Sequence, residues 1–103
     1  MSRLAISSSE AGVFQVEGDL TFATIDKQVV KSFDFLKSAS SITIDLSKVS
    51  NTDSAGLALM IEWIKMSRRY NTTLNFKNIP EQLRKLAKLS GFDTSDYFST
   101  SNL

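Results

Sequence analysis

Ile42-Thr-Ile-Asp-Leu-Ser-Lys-Val-Ser-Asn-Thr-Asp-Ser-Ala-Gly-Leu57 carries the clearest pattern in the chain. Apolar side chains alternate at Ile42, Ile44 and Leu46, the period of a half-buried strand. A polar loop follows, then Thr52-Asp53-Ser54, then a helical pattern starting at Ala55. The unit is strand, tight loop, capped helix. Its loop brings a hydroxyl and a carboxylate to the positive end of a helix, where backbone N–H groups lack internal partners. Such a tip can bind an anion, accept a phosphoryl group or offer a polar contact to a partner. One of Asp53 and Ser54 is expected to cap the helix, an interaction of about 0.5–2 kcal/mol.

Upstream, Leu4 and Ile6, then Phe14 and Val16, alternate on either side of a turn expected over Ser7–Gly12. Gly18-Asp19 is expected to end the second strand. Phe22, Ile25, Val29, Phe33 and Leu36 recur at helical spacing, with Thr21 or Thr24 as candidate caps. Downstream, the helix from Ser54 to about Tyr70 carries two apolar stripes. One is Leu57, Met60, Ile61 and Ile64; the other is Leu59, Trp63, Met66 and Tyr70. The arc is about twice what a helix needs to cover one sheet, so a neighbouring helix or a partner must cover the rest. Asn71-Thr72 breaks that helix, and Leu74 and Phe76 mark a fourth strand. Pro80 opens a third helix in its first turn, with Leu83, Leu86, Ala87 and Leu89 as its buried face and Gly91-Phe92 as its stop.

The order β-β-α-β-α-β-α predicts an early hairpin followed by strand–helix–strand crossovers, which need parallel neighbours. The expected architecture is an α/β four-stranded mixed sheet packed with helices, in a single domain spanning residues 1–103. Residues 93–103 read as a polar tail.

The 103 residues include neither cysteine nor histidine, which removes disulfides, Cys/His zinc sites, Ser-His-Asp triads and Cys-His dyads. Asp45 and Asp53 could together hold Mg²⁺, but two acids make a poor site, and Asp45 reads better as a cap of the loop after it. The Asp53 loop lacks the glycine spacing and lysine of a phosphate-binding P-loop. No catalysis, metal or cofactor is expected. No apolar run approaches the roughly 20 residues that span a bilayer. Met1-Ser-Arg-Leu is not followed by the apolar core of a signal peptide, so none is expected.

The net charge of +1 hides an asymmetry. Residues 1–64 hold 5 basic and 8 acidic side chains, and residues 65–88 hold 7 basic ones against Glu81 alone. The basic stretch could attract an anionic surface, yet it falls where two amphipathic helices would turn solvated faces outward. Nucleic-acid binding would use Trp63, Tyr70 and Phe76 as stacking platforms, but all three fit apolar faces better.

The stretch Ile44-Asp-Leu-Ser-Lys-Val through Asp53-Ser-Ala-Gly-Leu57 resembles the signature of STAS domains, modules of bacterial anti-sigma factor antagonists and of anion transporters. Three blocks in order are similar to the MlaB-type branch. They are Gly18-Asp-Leu-Thr-Phe-Ala-Thr24, Asp53-Ser-Ala-Gly-Leu-Ala-Leu-Met-Ile-Glu-Trp63 and Ile79-Pro-Glu-Gln-Leu-Arg-Lys-Leu-Ala-Lys-Leu-Ser-Gly-Phe92. The resemblance implies a non-enzymatic subunit of a Gram-negative phospholipid ABC transporter, the Mla system of outer-membrane lipid asymmetry. Such a subunit binds and supports the cytoplasmic ATPase (MlaF-like), and through it meets the permease and lipid-binding subunits. It implies partner contacts at Thr21, Thr52, Asp53, Ser54 and Leu57. The alternative is an anti-sigma factor antagonist, for which the resemblance implies phosphorylation of Ser54.

Overall fold

The computed structural model describes residues 4–21, 23–25 and 34–91. Four strands form one sheet in the order β1 (Ala5–Glu10), β2 (Val13–Leu20), β3 (Ser41–Thr52), β4 (Thr73–Lys77). β1 pairs antiparallel with β2, while β2–β3 and β3–β4 are parallel. Helix α1 (Ser54–Arg69) follows β3, and α2 (Glu81–Leu89) follows β4. A short 3-10 turn covers Asp34–Lys37. The mixed sheet packed with helices is therefore the architecture expected from the alternations. Most of the helix expected from Phe22 to Leu36 lies outside the described residues, as do Phe92 and the 93–103 tail. Of that helix's apolar face, Leu36 is buried in the core.

The serine run Ser7-Ser8-Ser9 is strand rather than turn. An edge strand is held by backbone pairing on one side, so its side chains need not be apolar. Ser7 pairs with Gln15 and Ser8 with Phe14, and the turn shrinks to Ala11-Gly12. Gly12 has φ +76°, and a Cβ there would stand 3.0 Å from the Ser41 carbonyl oxygen. β2 also continues through Gly18-Asp19 to Leu20.

β3 is longer than its alternation, which stops at Leu46. Two irregularities explain this. Gln15 pairs with Asp45 but Glu17 with Lys48, and Gly18 pairs with Val49 but Leu20 with Thr52. Each time, β3 spends one more residue than β2, the mark of a bulge. Inward positions therefore move from a spacing of two to a spacing of three, through Leu46, Val49 and Thr52. The chain predicted as loop is strand until the residue before Asp53.

The core fills the space between one sheet face and the helices. Val16, Leu20, Ile42, Ile44, Leu46, Leu74 and Phe76 come from the strands. Leu57, Leu59, Met60, Trp63 and Ile64 come from α1, and Leu83 and Ala87 from α2. Both apolar stripes of α1 are thus largely used within the chain, leaving Ile61, Met66 and Tyr70 half-buried. Trp63 is fully buried, edge-on to Phe35 (centroids 6.0 Å apart) and tilted against Phe76 (6.4 Å). Phe35 in turn contacts Phe14 at 5.0 Å, which ties the 3-10 turn to the sheet. With Trp63 and Phe76 inside the core, neither is a stacking platform for nucleic acid.

α1 ends in a Schellman arrangement. Asn71 takes φ +56°, its N–H donates to Arg68 O (3.2 Å), and Thr72 N–H donates to Ser67 O (2.8 Å). α2 starts one residue later than expected, with Pro80 as its N-cap. Leu89 is 85% exposed, not buried. At 3.6 residues per turn it lies roughly 140° around the helix from the Leu83–Ala87 face. Lys65 pairs with Glu62 (3.3 Å) and Lys85 with Glu81 (3.5 Å) on outer faces, as expected for solvated helix surfaces.

Asp45 and Ser47 lie inside β3, so the expected loop cap is instead a bond to a residue of the first bulge. Ser47 N–H donates to Asp45 Oδ1 at 2.9 Å, and Asn78 Nδ2 donates to the same oxygen at 3.0 Å. Asn78 sits at φ +57°, so this bond helps hold a left-handed residue at the β4–α2 junction. Burial works to raise the Asp45 pKa. The hydrogen bonds from Asn78 and from Ser47, with the charge of Lys77, outweigh it and leave the carboxyl below its ordinary value. The carboxyl thus ionises more readily in the fold than in the unfolded chain. Its stabilising contribution is complete above the ordinary aspartate range, near pH 4, and is lost as pH falls through the lowered value. Asp45→Asn should therefore destabilise at pH 7 and much less at pH 2–3. Urea melts at both pH values check this; an equal loss at both would remove the ionised carboxyl from the account.

Candidate partner-binding site

The rim of the molecule at the carboxyl ends of β2 and β3 gathers most of the residues singled out in the sequence. Asp53, not Ser54, is the N-cap of α1. It has φ −144° and ψ −168°, and its Oδ1 accepts from Ala55 N–H at 2.9 Å. Its own N–H donates to Leu20 O at 3.2 Å, which ties the start of α1 to the end of β2. Relieved of the capping role, Ser54 is the first helical residue and is exposed.

Gly56 explains why α1 can start so close to β2. A Cβ on this residue would lie 2.7 Å from Leu20 O and 3.1 Å from Leu20 Cβ. The first turn of the helix rests directly on strand backbone, a closeness only glycine permits.

Around Leu20 the chain folds back on itself. The Thr24 hydroxyl donates to Asp19 O at 2.6 Å, and Thr21 N–H donates to Thr24 Oγ1 at 3.2 Å. Ile25 N–H donates to Thr21 O at 2.9 Å. Thr21 is left half-buried, with Ala23 exposed beside it. Beneath them, the Asp19 carboxylate is 6% exposed and accepts from Asn51 Nδ2 at 3.0 Å. This pairing of β2 with β3 was not anticipated from the sequence. Only the bulges bring Asp19 and Asn51 level.

Thr52 and Leu57 do not stand on the rim surface. Thr52 is 7% exposed, and its hydroxyl donates to Gln82 Oε1 at 3.2 Å, joining the end of β3 to the first turn of α2. Leu57 is 6% exposed and belongs to the core. Its expected role as a surface contact is corrected by its position on α1. It lies on the flank that also carries Met60 and Ile64, which the chain itself covers. Nothing in the sequence marks Gln82. A lone glutamine at the second position of a helix carries no signal until Thr52 is seen beneath it.

The rim is therefore a rigid tip made of two helix starts and two strand ends. Ser54 is its exposed first helical residue, Asp53 N–H is bonded to the carbonyl of Leu20 next to Thr21, and Gln82 is bonded to the buried Thr52. Among the described residues no three His, Cys, Asp or Glu side chains cluster to hold a metal, and Asp45 lies within β3 while Asp53 follows its last residue. Chemically the tip offers hydroxyl, amide and carboxylate groups on a fixed frame, a surface for recognition.

A family model described as "Mlab, STAS domain" matches residues 5–100. The chain belongs to the MlaB-type STAS family. No curated protein sequence matches it. Among solved structures, this STAS domain is similar to the anti-sigma factor antagonist SpoIIAA in its unphosphorylated form. The TM-score is 0.64 at 12% identity, over 93% of this chain and 86% of that one. At that identity the likeness establishes the STAS fold and nothing about activity. No helix among the described residues of this STAS domain is long and apolar enough to cross a membrane.

Proposed function

We propose that this STAS domain is the accessory subunit of a phospholipid-transporting ABC complex of the Mla type. It binds the cytoplasmic ATPase subunit through the rim of Thr21, Asp53 and Ser54 and supports that subunit without chemistry of its own. Its place is cytoplasmic, peripheral to the inner membrane through its partner. Permease and lipid-binding subunits are reached only through the ATPase. The observation that carries the reading is the exposed Ser54 on a tip held by the Asp53 cap and the Gly56 contact, in a chain of the MlaB-type family. A surface fixed in advance loses little freedom on binding, which favours a stable subunit contact.

A second reading has one observation in its favour. Ser54 is exposed at a helix N-terminus, and the fold is shared with SpoIIAA, a protein whose described form is unphosphorylated. In that reading Ser54 accepts a phosphoryl group and the domain switches an anti-sigma partner.

Two substitutions separate the readings. Ser54→Arg places a long cation on the tip without entering the core. Co-purification with the ATPase and permease should be lost while circular dichroism stays unchanged. Ser54→Glu should keep the thermal midpoint within a few degrees, because a helix start favours an anion by about 0.3–1 kcal/mol. It should still weaken ATPase binding at least tenfold, about 1.4 kcal/mol. Undiminished co-purification of Ser54→Arg would overturn the transporter reading. Capture of an anti-sigma kinase, with phosphate on Ser54 by intact mass, would establish the second.

A further inference from the structure

Gln82 is exposed, yet its side chain is not free to turn. Its Oε1 accepts the proton of the Thr52 hydroxyl, and Thr52 is buried at the end of β3. A carboxamide has one oxygen and one NH₂ group on opposite sides of its carbon. With the oxygen bound to the Thr52 hydroxyl, Nε2 and its two donors lie on the other side of the amide carbon, away from that hydroxyl. We infer that Gln82 sets specificity at this rim. Its Nε2 donates to a carbonyl on the partner, and Thr52 is the positioning residue that holds it there. This rests on the rim being the partner-binding surface.

The chemistry of the acceptor follows from its neighbours. Asp53 caps α1 one residue beyond Thr52, and Glu81 precedes Gln82 in the first turn of α2. A partner carboxylate at Gln82 would meet the Glu81 carboxylate next to it in the chain, while the Asp53 carboxylate is engaged by Ala55 N–H. The partial positive charge of the α2 start works the other way, but Glu81 already stands in that turn. Lys85 pairs with Glu81 at 3.5 Å on an exposed surface, where solvent and salt weaken its effect. A neutral carbonyl, from backbone or a side-chain amide, is the acceptor that fits. Anchoring matters because a glutamine already held by Thr52 loses less rotamer freedom when the partner arrives.

Calorimetry of the full chain against a purified MlaF-type ATPase tests this. Gln82→Glu keeps an oxygen for Thr52 but removes both donors. Gln82→Met removes donor and acceptor without adding charge. Both should bind at least tenfold more weakly; Gln82→Glu should melt within about 3 °C of the parent, while Gln82→Met, which takes the acceptor from the buried Thr52 hydroxyl, should stay folded but melt several degrees lower. Thr52→Val should weaken binding less. Combined with Gln82→Met, it should weaken binding no further than Gln82→Met alone, the signature of a residue that acts through another. Binding of Gln82→Met within twofold of the parent would overturn the inference and leave the transporter reading standing. Failure of the parent chain to bind the ATPase would overturn both.

Discussion

Leu57→Asp is expected to leave the chain unfolded at neutral pH. Leu57 packs in the core at 6% exposure, with Met60 and Ile64 on the same flank of α1. Removing a buried leucine costs about 2–5 kcal/mol through lost transfer and the cavity left behind. A buried carboxylate without a partner costs about 3–5 kcal/mol more, unless it takes up a proton. The helix start returns only about 0.3–1 kcal/mol. Domains of this size have roughly 5–15 kcal/mol in total, so the sum removes most or all of it. Far-UV circular dichroism and a urea melt at pH 7 read this directly. A folded Leu57→Asp protein that merely loses its partner would mean that Leu57 faces outward, contrary to its burial. The contrast with Ser54→Arg is informative, because two residues three positions apart give opposite outcomes. One should lose the fold, the other only the partner.

Gly56→Val carries the second largest expected effect, and Gly56→Ala the more instructive one. In an ordinary helix interior, alanine would gain about 1 kcal/mol over glycine. Here its Cβ would fall 2.7 Å from Leu20 O, and a backbone oxygen within a sheet cannot rotate aside as a side chain can. Overpacking of this kind costs about 1–3 kcal/mol, and the backbone obstacle puts it in the upper part of that range. The net expectation for alanine is a loss of about 1–2 kcal/mol, or roughly 4–16 °C in thermal midpoint for a chain of this length. Valine adds two methyl groups at the same point and should roughly double the loss. The displaced first turn also strains the bond from Asp53 N–H to Leu20 O, so the Ser54 tip should move with it. Calorimetric melting of both variants, with ATPase affinity measured on the alanine variant, checks stability and position together. A Gly56→Ala protein more stable than its parent would show that helix propensity alone governs the site.

These two neighbours show what a linear reading could and could not reach. In the sequence Gly56 is only a glycine in a first helical turn. Only the Leu20 backbone above it makes close approach the reason. Leu57 lies on an apolar stripe, and a stripe does not say whether chain or partner covers it. α2 and the sheet answer that, and they leave Ile61, Met66 and Tyr70 as the half-covered remainder. Leu89 shows the same limit from the other side, an apolar residue at plausible helical spacing that falls on the outer face.

Local chemistry determined a good deal by itself. Alternation at Ile42, Ile44 and Leu46, the helical period after Ser54, the break at Asn71-Thr72 and the stop at Gly91 each act over a few residues. They need no distant contact to be read, and the order of elements follows from them. The tertiary structure decided whatever depends on pairing. Two bulges opposite β2 carry β3 to Thr52, because parallel pairing stabilises a strand whose own alternation has lapsed. The same pairing turns the serine run into an edge strand, brings Asp19 level with Asn51, and sets Asp53 rather than Ser54 against the open N–H groups of α1. Gln82 became legible only when β3 and α2 met at Thr52. A hydrogen bond between residues thirty positions apart leaves no periodicity in the chain that makes it.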